Sequence, residues 1–230
     1  MIYHHLQAEF GLGTAHRAVI AACPSNKRVL DLGCSTGYVA RALERDKKCR
    51  VVGVELDASA ATMAVQAGLT VIPGSLSDES VRKRVAELGP YGAVICADIL
   101  EHLENSDAII DWIRGILRDD GVLILSVPNV ANYTIRKELF FGRFNYTDRG
   151  ILDRTHLRFF TARTLRSFLV EHQFCIDEWG IAVDYFPVDR LFAHPAALCR
   201  VKTWVNEHIL RRFPNLIAFQ FVVTARPKRR

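Results

Sequence analysis

The sequence of 230 residues lacks the features that mark several classes of protein. No apolar run approaches the roughly 18–20 residues of a membrane-spanning helix, and residues 1–7 have neither the basic start nor the apolar stretch of a signal peptide. The six cysteines include no Cys-x-x-Cys pair, so we expect neither a metal site nor a disulfide framework. A cytoplasmic protein without an integral membrane segment agrees best with these absences.

The net charge of +5 is distributed unevenly along the chain. Residues 1–129 carry 13 Lys or Arg against 16 Asp or Glu, whereas residues 130–170 carry 8 against 3. The tail 226–230 adds four more positive charges. A protein that binds nucleic acid through its general charge would spread these positive charges more widely. We therefore expect no nucleic-acid partner and treat the basic segment as a local feature.

The order of apolar runs predicts the fold class. Short apolar runs alternate with helix-like stretches between residues 28 and 127, which is typical of an α/β domain with a parallel sheet. Each run is almost continuously apolar, as expected for a strand that helices cover on both faces. The predicted strands are Arg28–Leu32, Arg50–Glu55, Leu69–Ile72, Ala93–Ala97 and Val122–Val127.

Helix signals lie between these strands. The clearest helix is Asp107–Arg118, where apolar residues form one stripe, Ser106 can cap the start and Gly121 follows the end. Another helix can begin at Ser77 or Asp78. Further along the chain the pattern predicts a helix capped by Thr161 and strands at Phe174–Val183 and Ile217–Ala225.

We predict one domain over residues 1–230, because no linker or repeat divides the chain. One long stretch, 128–160, is basic and aromatic and lacks a clear period, and a second insertion covers 186–215. Both are expected to cover the carboxyl end of the sheet, since long insertions in compact domains are often functional. A helical pattern at Ala197–Phe213 is expected to pack within the fold or to join a homodimer rather than lie on a membrane. The predicted parts are an N-terminal helical segment (1–27), a cofactor-binding core (28–127), the insertions 128–160 and 186–215, and a basic tail (226–230).

One motif carries the functional interpretation. Val29 to Gly37 read Val-Leu-Asp-Leu-Gly-Cys-Ser-Thr-Gly, an apolar strand that leads into a glycine turn and a helix. Gly33 and Gly37 let the backbone turn sharply and approach a ligand closely. Ser35 stands where a dinucleotide-binding fingerprint needs a glycine against the pyrophosphate. An ordinary strand-to-helix turn would also explain the glycines, so the neighbouring charges decide between the two interpretations.

Two acidic residues indicate what kind of ligand the turn binds. Asp31 lies at the end of the first strand, where its charge repels phosphates and attracts an ammonium group. Glu55 ends the next strand, roughly 20 residues later, at the distance where a carboxylate can accept both ribose hydroxyls. Together these residues describe a nucleoside with a positively charged tail. Asp31 and Ser35 therefore argue against a nicotinamide-dependent dehydrogenase.

With these residues the sequence resembles class I S-adenosylmethionine-dependent methyltransferases over about residues 28–185. Within them it is most similar to ubiquinone-biosynthesis-like enzymes and to small methyltransferases of surface-polysaccharide gene sets. The resemblance implies S-adenosylmethionine as cofactor and a doubly wound, Rossmann-like α/β fold. The implied sheet has seven mostly parallel strands with helices on both faces, and Ile217–Ala225 fits its antiparallel last strand.

The resemblance also implies which residues contact the cofactor. The family places the methionine part on the loop after the first strand, the ribose on the acid of the second strand and the adenine on the residue after that acid. The matching residues, in that order, are Asp31, Gly33, Ser35 and Gly37, then Glu55, then Leu56. Ser75 and Leu76 stand where the family often has an Asp near the adenine amino group. Ala97 begins the segment Ala97–Leu103, which matches the segment that passes beneath the cofactor.

The candidate catalytic residues are His156 and Asp153. Both lie in Asp153–Thr161, which resembles a second recurrent stretch of the group. A hydroxyl acceptor needs a base, and His156 with Asp153 behind it can supply one; a structural histidine is the alternative. Glu101 and His102 follow the fourth strand, where they can either cap a helix start or face the cofactor and acceptor.

The expected function is methyl transfer to oxygen on a small-molecule or glycan acceptor. The alternative is a non-catalytic S-adenosylmethionine-binding sensor or partner subunit. Amino-methylation of nucleic acid is disfavoured, because the segment after the fourth strand lacks an Asn/Asp-Pro-Pro-aromatic motif. We expect an anionic acceptor, because cations and aromatic residues are interleaved in the basic segment. These cations are Arg136, Lys137, Arg143, Arg149, Arg154 and Arg158.

Overall fold

A computed structural model describes residues 13–183 and 212–228 of the chain. The strands are β1 (Arg28–Leu32), β2 (Arg50–Glu55), β3 (Thr70–Pro73), β4 (Tyr91–Ala97), β5 (Leu117–Pro128), β6 (Phe174–Ala182) and β7 (Gln220–Pro227). They form one seven-stranded sheet in the order β3-β2-β1-β4-β5-β7-β6. All neighbours are parallel except the pairs that β7 makes with β5 and β6. The predicted mostly parallel sheet with an antiparallel last strand is therefore confirmed.

Helices connect the strands. They are α1 (Thr14–Ala22), α2 (Tyr38–Lys47), α3 (Ala58–Gln66), α4 (Glu79–Glu87), α5 (Ser106–Ile116), α6 (Tyr133–Phe140), α7 (Ala162–Glu171) and α8 (Pro214–Ile217). A single 3-10 turn, Leu100–His102, follows β4. Within the described ranges, none of the helices is long and apolar enough to span a membrane.

Alternation of side chains along the strands divides the core into two layers. Val29 and Val51 pack with α1, α2 and α3 on one face of the sheet, whereas Leu30 and Val52 pack with α4, α5 and α7 on the other. Because both faces are covered, the central strands are apolar at nearly every position. The predicted arrangement of helices on both faces is confirmed.

The helix between β4 and β5 begins and ends earlier than the sequence pattern predicts. Its N-cap is Asn105, whose Oδ1 accepts a hydrogen bond from the Ala108 N–H at 3.0 Å. Ser106 is the first helical residue and is buried. The chain enters β5 at Leu117, so Gly121 lies inside a strand instead of after a helix. Asn and Ser cap helices about equally well, so residue type alone could not choose between neighbouring positions.

The bounds of five strands also differ from the predicted ones, by only one residue at each changed end of β3 and β6 and by more in β4, β5 and β7. β4 begins at Tyr91 and β5 at Leu117, because these two residues pair with each other before a shift in register. β7 begins at Gln220, because the residues before it form α8. Thr161 caps α7 as predicted, with its Oγ1 accepting from the Thr164 N–H at 3.2 Å.

The insertion 128–160, which overlaps the basic segment 130–170, contains one helix, α6, that the sequence pattern did not predict. Asn132 caps it, with Oδ1 accepting from the Thr134 N–H at 3.0 Å. None of the residues of α6 is buried, so the helix has no apolar face that could give the sequence a helical period. After α6 the chain is irregular until a bridge between Asn129 and Phe160 returns it to the sheet.

Two buried asparagines connect the start of this segment to the turn before β7 by hydrogen bonds. Asn129 donates through Nδ2 to the carbonyl oxygens of Asn215 at 2.7 Å and Ala218 at 2.9 Å. Asn132 donates to those of Ile217 at 3.1 Å and Ala218 at 2.9 Å. The segment after β5 and the entry to β7 are thereby held together.

Some predicted features lie outside the described residues. They include most of the insertion 186–215, the helical pattern at 197–211, the first twelve residues and the last two of the tail. The division of the chain into a core and two insertions stays a prediction.

We expect Asn129→Ala to lower the free energy of unfolding by about 1–3 kcal/mol. The change removes the buried amide, so the Asn215 carbonyl oxygen loses this donor and the Ala131 N–H loses its acceptor, while the Ala218 carbonyl oxygen keeps the donor from Asn132. Urea unfolding measures the difference, and Asn145→Ala, at an exposed position, should stay within about 0.5 kcal/mol of the wild type. Equal effects of the two substitutions would contradict the role of Asn129.

Candidate cofactor and acceptor site

The turn between β1 and α2 brings its backbone against two neighbouring segments. Gly33 and Gly37 have φ values of 68° and 80°, in the left-handed region that favours glycine. A Cβ atom on Gly33 would overlap Ile99 Cδ1, and one on Gly37 would overlap Leu69 Cδ1. Both glycines are therefore required by backbone conformation and by close approach.

Glu55 joins the turn after β1 to the turn after β2. Its Oε2 accepts from the Ser35 N–H at 2.7 Å, and its Oε1 accepts from the Asp57 N–H at 2.8 Å. Ser35 makes this bond from a φ of 49°, which few non-glycine residues adopt. Each carboxylate oxygen keeps a further lone pair. Glu55 can therefore hold the turn and accept hydrogen bonds from ribose hydroxyls at the same time.

Asp31 is a buried carboxylate without a full set of partners. It is 2% exposed, and its Oδ2 has no hydrogen-bond partner among the described residues. Burial, together with the negative charge of Glu55, raises the pKa of Asp31 to about 7. An unpaired buried carboxylate costs free energy. A cationic group bound beside Asp31 would offset this cost.

A cavity of about 430 Å³ opens at the carboxyl ends of β1, β2 and β3. Leu56 is 72% exposed there and offers an apolar surface to a ligand. Ile99, His102 and Leu103 line the opposite side. Ser35 and Gly37 lie in the adjoining turn after β1. Ala97 is the last residue of β4 and does not line the cavity. Five predicted cofactor residues share this lining: Gly33, Glu55, Leu56, Ser75 and Leu76.

Asp98 is a polar centre that the sequence analysis did not single out. It has a φ of 56°, and its Oδ1 accepts from Ser126 Oγ at 3.0 Å and from Gln220 Nε2 at 2.7 Å. His16 Nε2 lies 3.9 Å from its Oδ2. Burial raises the pKa of Asp98. The position of Asp98 inside the matched segment Ala97–Leu103 was a usable signal, whereas nothing in the sequence pointed to His16.

Glu101 has the least satisfied side chain of this region. It lies in the 3-10 turn after β4 and is 1% exposed, and neither carboxylate oxygen has a hydrogen-bond partner among the described residues. Burial and the nearby charge of Asp98 raise the pKa of Glu101 well above its ordinary value. Because Asn105 caps α5, Glu101 does not serve as its cap.

The backbone of Glu101 fixes the basic segment beside it. Its carbonyl oxygen accepts from the Leu157 N–H at 2.7 Å and from the Arg158 N–H at 3.1 Å. These two bonds place His156, the residue before them, against the turn after β4.

His156 is oriented by a backbone carbonyl. Its Nδ1 lies 3.1 Å from the Ile151 carbonyl oxygen, so Nδ1 carries the proton. Burial lowers the pKa of His156. The Asp153 carboxylate accepts instead from the Thr155 N–H at 2.8 Å and from the Thr155 hydroxyl at 2.7 Å. No hydrogen bond joins the side chains of the predicted pair His156 and Asp153 in the described structure, and their catalytic roles stay predictions.

Hydrogen bonds through Thr155 link Asp153 to His102. His102 Nδ1 lies 3.1 Å from Thr155 Oγ1 and 3.3 Å from the Thr155 carbonyl oxygen. The rings of His102 and His156 are 4.7 Å apart between centroids, at 72° to each other. One ring nitrogen of each histidine and a carboxylate oxygen of Glu101 all lie within 4.8 Å of one another. Three residues from two distant stretches of sequence therefore meet beside the cavity.

Carboxylates already pair with three of the six cations that the sequence analysis named between residues 136 and 158. Arg154 lies 2.8 Å from Asp148, and Arg158 lies 2.8 Å from Asp107. Arg143 lies 3.6 Å from Glu138. The positive charge open to an acceptor is therefore smaller than the composition of the segment suggests.

Comparison with known proteins identifies the family. Residues 3–178 match the family model described as a methyltransferase domain. This range contains every strand and helix from α1 to α7 and all the residues predicted to bind the cofactor. The chain belongs to this methyltransferase family. The predicted resemblance to class I S-adenosylmethionine-dependent methyltransferases is confirmed.

Several methyltransferases are similar to this chain. The ubiquinone biosynthesis O-methyltransferase of Burkholderia ambifaria is 27% identical over 177 residues, which are 74% of this chain and 73% of that enzyme. For the enzyme of the same name from Glaesserella parasuis the match is 27% over 109 residues, so the chain spans about half of that relative, 46%. A solved S-adenosylmethionine-dependent methyltransferase from Archaeoglobus fulgidus shares the fold, with a TM-score of 0.61 and 16% identity over 97% of this chain and 99% of that one.

S-adenosylmethionine is the cofactor of such methyltransferases, and the residues of this site fit it. The unpaired Asp31 carboxylate suits the positively charged end, the Glu55 carboxylate suits ribose hydroxyls, and Leu56 suits a flat base. Ser75 differs from the acid common in the family, and its Oγ accepts from the Ser77 N–H at 3.1 Å. The individual contacts to the cofactor remain predictions.

We expect Glu55→Gln to weaken binding of S-adenosylmethionine by about 1.5–3 kcal/mol, because a charged acceptor is lost. Isothermal titration calorimetry with S-adenosylhomocysteine gives the same comparison without turnover. Glu87→Gln, exposed at the end of α4, serves as the matched control and should bind like the wild type. NAD should not bind measurably. Tight binding of NAD, or an unchanged Glu55→Gln variant, would contradict the assignment.

Asp31 should make the stability of the cofactor-free protein depend on pH. Since its pKa rises from 3.8 in the unfolded chain to about 7 in the fold, the folded protein holds a proton that the unfolded chain releases between these values. Relative to Asp31→Asn, the wild type should therefore lose about 2–4 kcal/mol as the pH rises from about 4 to about 8. Urea unfolding of both proteins at several pH values tests this, and parallel profiles would contradict it.

Proposed function

We propose that the protein transfers the methyl group of S-adenosylmethionine to a hydroxyl oxygen of a small-molecule or glycan acceptor. The observation that carries this proposal is the group of ionisable side chains at the margin of the cavity. His102 lines the cavity and lies within reach of Glu101 and His156. Oxygen acceptors need help to lose a proton, whereas neutral amines need none. Such a group is therefore more useful for O-methylation than for N-methylation.

In this proposal the residues of the chain bind the cofactor, orient the acceptor and remove the proton of its hydroxyl group. When bound, S-adenosylmethionine supplies a methyl group on a positively charged sulfur that becomes a neutral thioether. The turn after β1 and Glu55 would fix the cofactor, so that alignment with the acceptor contributes much of the rate. His156 is the proposed base, because its Nδ1 is held by Ile151 and its Nε2 keeps the lone pair.

Fewer cations support the proposal of an anionic acceptor than the composition of the basic segment suggested. Three arginines of the basic segment pair with carboxylates, as described above. Lys137 and Arg149 have no carboxylate partner within the described ranges, and Arg136 contacts only the carbonyl oxygen of Ala131, at 2.7 Å. These three cations can still attract a carboxylate or phosphate on the acceptor. A cytoplasmic location is part of the same proposal.

Transfer of labelled methyl groups tests the proposal. We expect S-adenosylhomocysteine to form only when an acceptor is present, with the label recovered in a methyl ether of a phenol, acidic phenol or acidic glycan. For acidic acceptors KM should rise as ionic strength increases from about 0.01 to about 0.15 M, since exposed charges are then screened. Lack of turnover with every acceptor would favour the non-catalytic alternative, and a flat salt profile would contradict an anionic acceptor.

A further inference from the structure

Three metal-ligating groups converge next to the cofactor cavity. They are the carboxylate of Glu101 and the imidazoles of His102 and His156, with donor atoms within 4.8 Å of one another. Glu101 is supplied by the turn after β4, and His156 is held against that turn by the two backbone bonds to the Glu101 carbonyl oxygen. The convergence therefore follows from hydrogen bonds that fix the backbone.

A backbone carbonyl oxygen fixes one ring nitrogen in both histidines. Each Nδ1 lies near a backbone carbonyl oxygen, that of Thr155 for His102 and that of Ile151 for His156. Because a carbonyl oxygen can only accept, both Nδ1 atoms carry the proton and both Nε2 atoms keep a lone pair. Metal-binding histidines commonly have their second nitrogen fixed by a carbonyl or carboxylate in this way.

The buried carboxylate of Glu101 is an independent observation that points to a bound ligand. Its side chain is 1% exposed, and both oxygens lack a hydrogen-bond partner in the described part of the chain. Buried carboxylates without hydrogen-bond donors are rare, because such a group loses its hydration without compensation. A bound cation would satisfy both oxygens.

We propose that Glu101, His102 and His156 form a binding site for one divalent transition-metal ion, such as Mn²⁺ or Zn²⁺. Two imidazoles and one carboxylate are ligands that suit such ions, whereas Mg²⁺ and Ca²⁺ prefer oxygen ligands. Three protein ligands leave positions open for water or substrate. Bonds of about 2.0–2.2 Å require the donor atoms to close around the ion, which side-chain rotation of the partly exposed His102 can provide.

The role of the ion in catalysis rests on the proposed O-methylation. Because His102 also lines the cofactor cavity, an acceptor hydroxyl that approaches the bound cofactor from this side would lie near an open position on the ion. A bound cation lowers the pKa of such a hydroxyl. Its proton passes to solvent, the acceptor oxygen bonds to the methyl carbon, and the carbon–sulfur bond breaks with its electron pair left on sulfur. With the ion bound, the Nε2 lone pair of His156 would bind the metal, so the ion would take the place of His156 in promoting loss of the acceptor proton; without the ion, His156 would be the base.

Asp153 and Thr155 gain a positioning role in this scheme. The Thr155 hydroxyl donates to the Asp153 carboxylate at 2.7 Å, so the same oxygen accepts from His102 Nδ1 at 3.1 Å. These hydrogen bonds hold Nδ1 of His102, so that Nε2 keeps its lone pair for the ion. Removing such supporting groups commonly weakens metal binding by about 10–100-fold.

Metal titration of the full chain tests the proposal directly. Protein treated with EDTA and dialysed is titrated with MnCl₂, and separately with ZnCl₂, by isothermal titration calorimetry, with MgCl₂ for comparison. Mn²⁺ and Zn²⁺ should bind tightly to one site and Mg²⁺ weakly. Glu101→Gln, His102→Gln and His156→Gln should each weaken Mn²⁺ binding by at least about tenfold. Glu138→Gln, whose carboxylate pairs with Arg143, is the matched control and should bind normally.

A second pair of variants separates positioning from folding. Thr155→Val should weaken Mn²⁺ binding by about tenfold, while Thr155→Ser, which keeps the hydroxyl, should restore it. Thermal unfolding checks that each variant is folded, and Glu101→Gln should fold at least as stably, because it removes a buried carboxylate without partners. The EPR spectrum of bound Mn²⁺ should change when S-adenosylhomocysteine enters the neighbouring cavity.

The outcomes distinguish this proposal from the proposed function. Absence of tight Mn²⁺ and Zn²⁺ binding, or binding that all three ligand variants leave unchanged, would overturn the metal site even if methyl transfer occurs. Turnover that EDTA abolishes and MnCl₂ restores would support the role of the ion, and turnover that EDTA leaves unchanged would overturn that role. Metal binding without any methyl transfer would leave the site in place and overturn the proposed function.

Discussion

The close approach of the turn after β1 to the segment after β4 is the constraint on which the site depends. Gly33 has no side chain, so Ile99 can pack directly against its backbone. This contact sets the position of the residues that follow Ile99. Glu101 and His102 therefore lie beside the cavity that Glu55 and Leu56 line from the other side. A side chain at position 33 would move the cofactor turn and the acceptor region apart.

Buried negative charge is the second organising feature of this edge of the sheet. Asp31, Asp98 and Glu101 all have raised pKa values, mainly because burial removes the hydration of their carboxylates. Only Asp98 has a full set of donors near one oxygen, from Ser126 and Gln220. The other two acids are destabilising until a cation lies beside them. The edge is thus built to receive positive charge, from the cofactor at Asp31 and, in our proposal, from a metal ion at Glu101.

The segment after β5 completes the site although little of it is regular. Buried amides of Asn129 and Asn132 hold its start, and the carbonyl oxygen of Glu101 holds its end. These bonds explain how an irregular chain can hold Thr155 and His156 at the site. Most of its arginines form ion pairs. The main role of the segment is therefore to support the site, and fewer of its side chains can contact an acceptor.

The sequence by itself determined the α/β class, the strands of the core and the cofactor turn, because apolar runs and the spacing of Gly33, Gly37 and Glu55 are local properties of the chain. It also marked His156, but with Asp153 as its partner. Only the tertiary structure decided that Ile151 orients His156, that Asp153 acts on His102 through Thr155, and that Glu101 is buried without donors. It alone showed α6, which has no apolar face. These features depend on contacts between residues far apart in sequence, and no local period or spacing records such contacts.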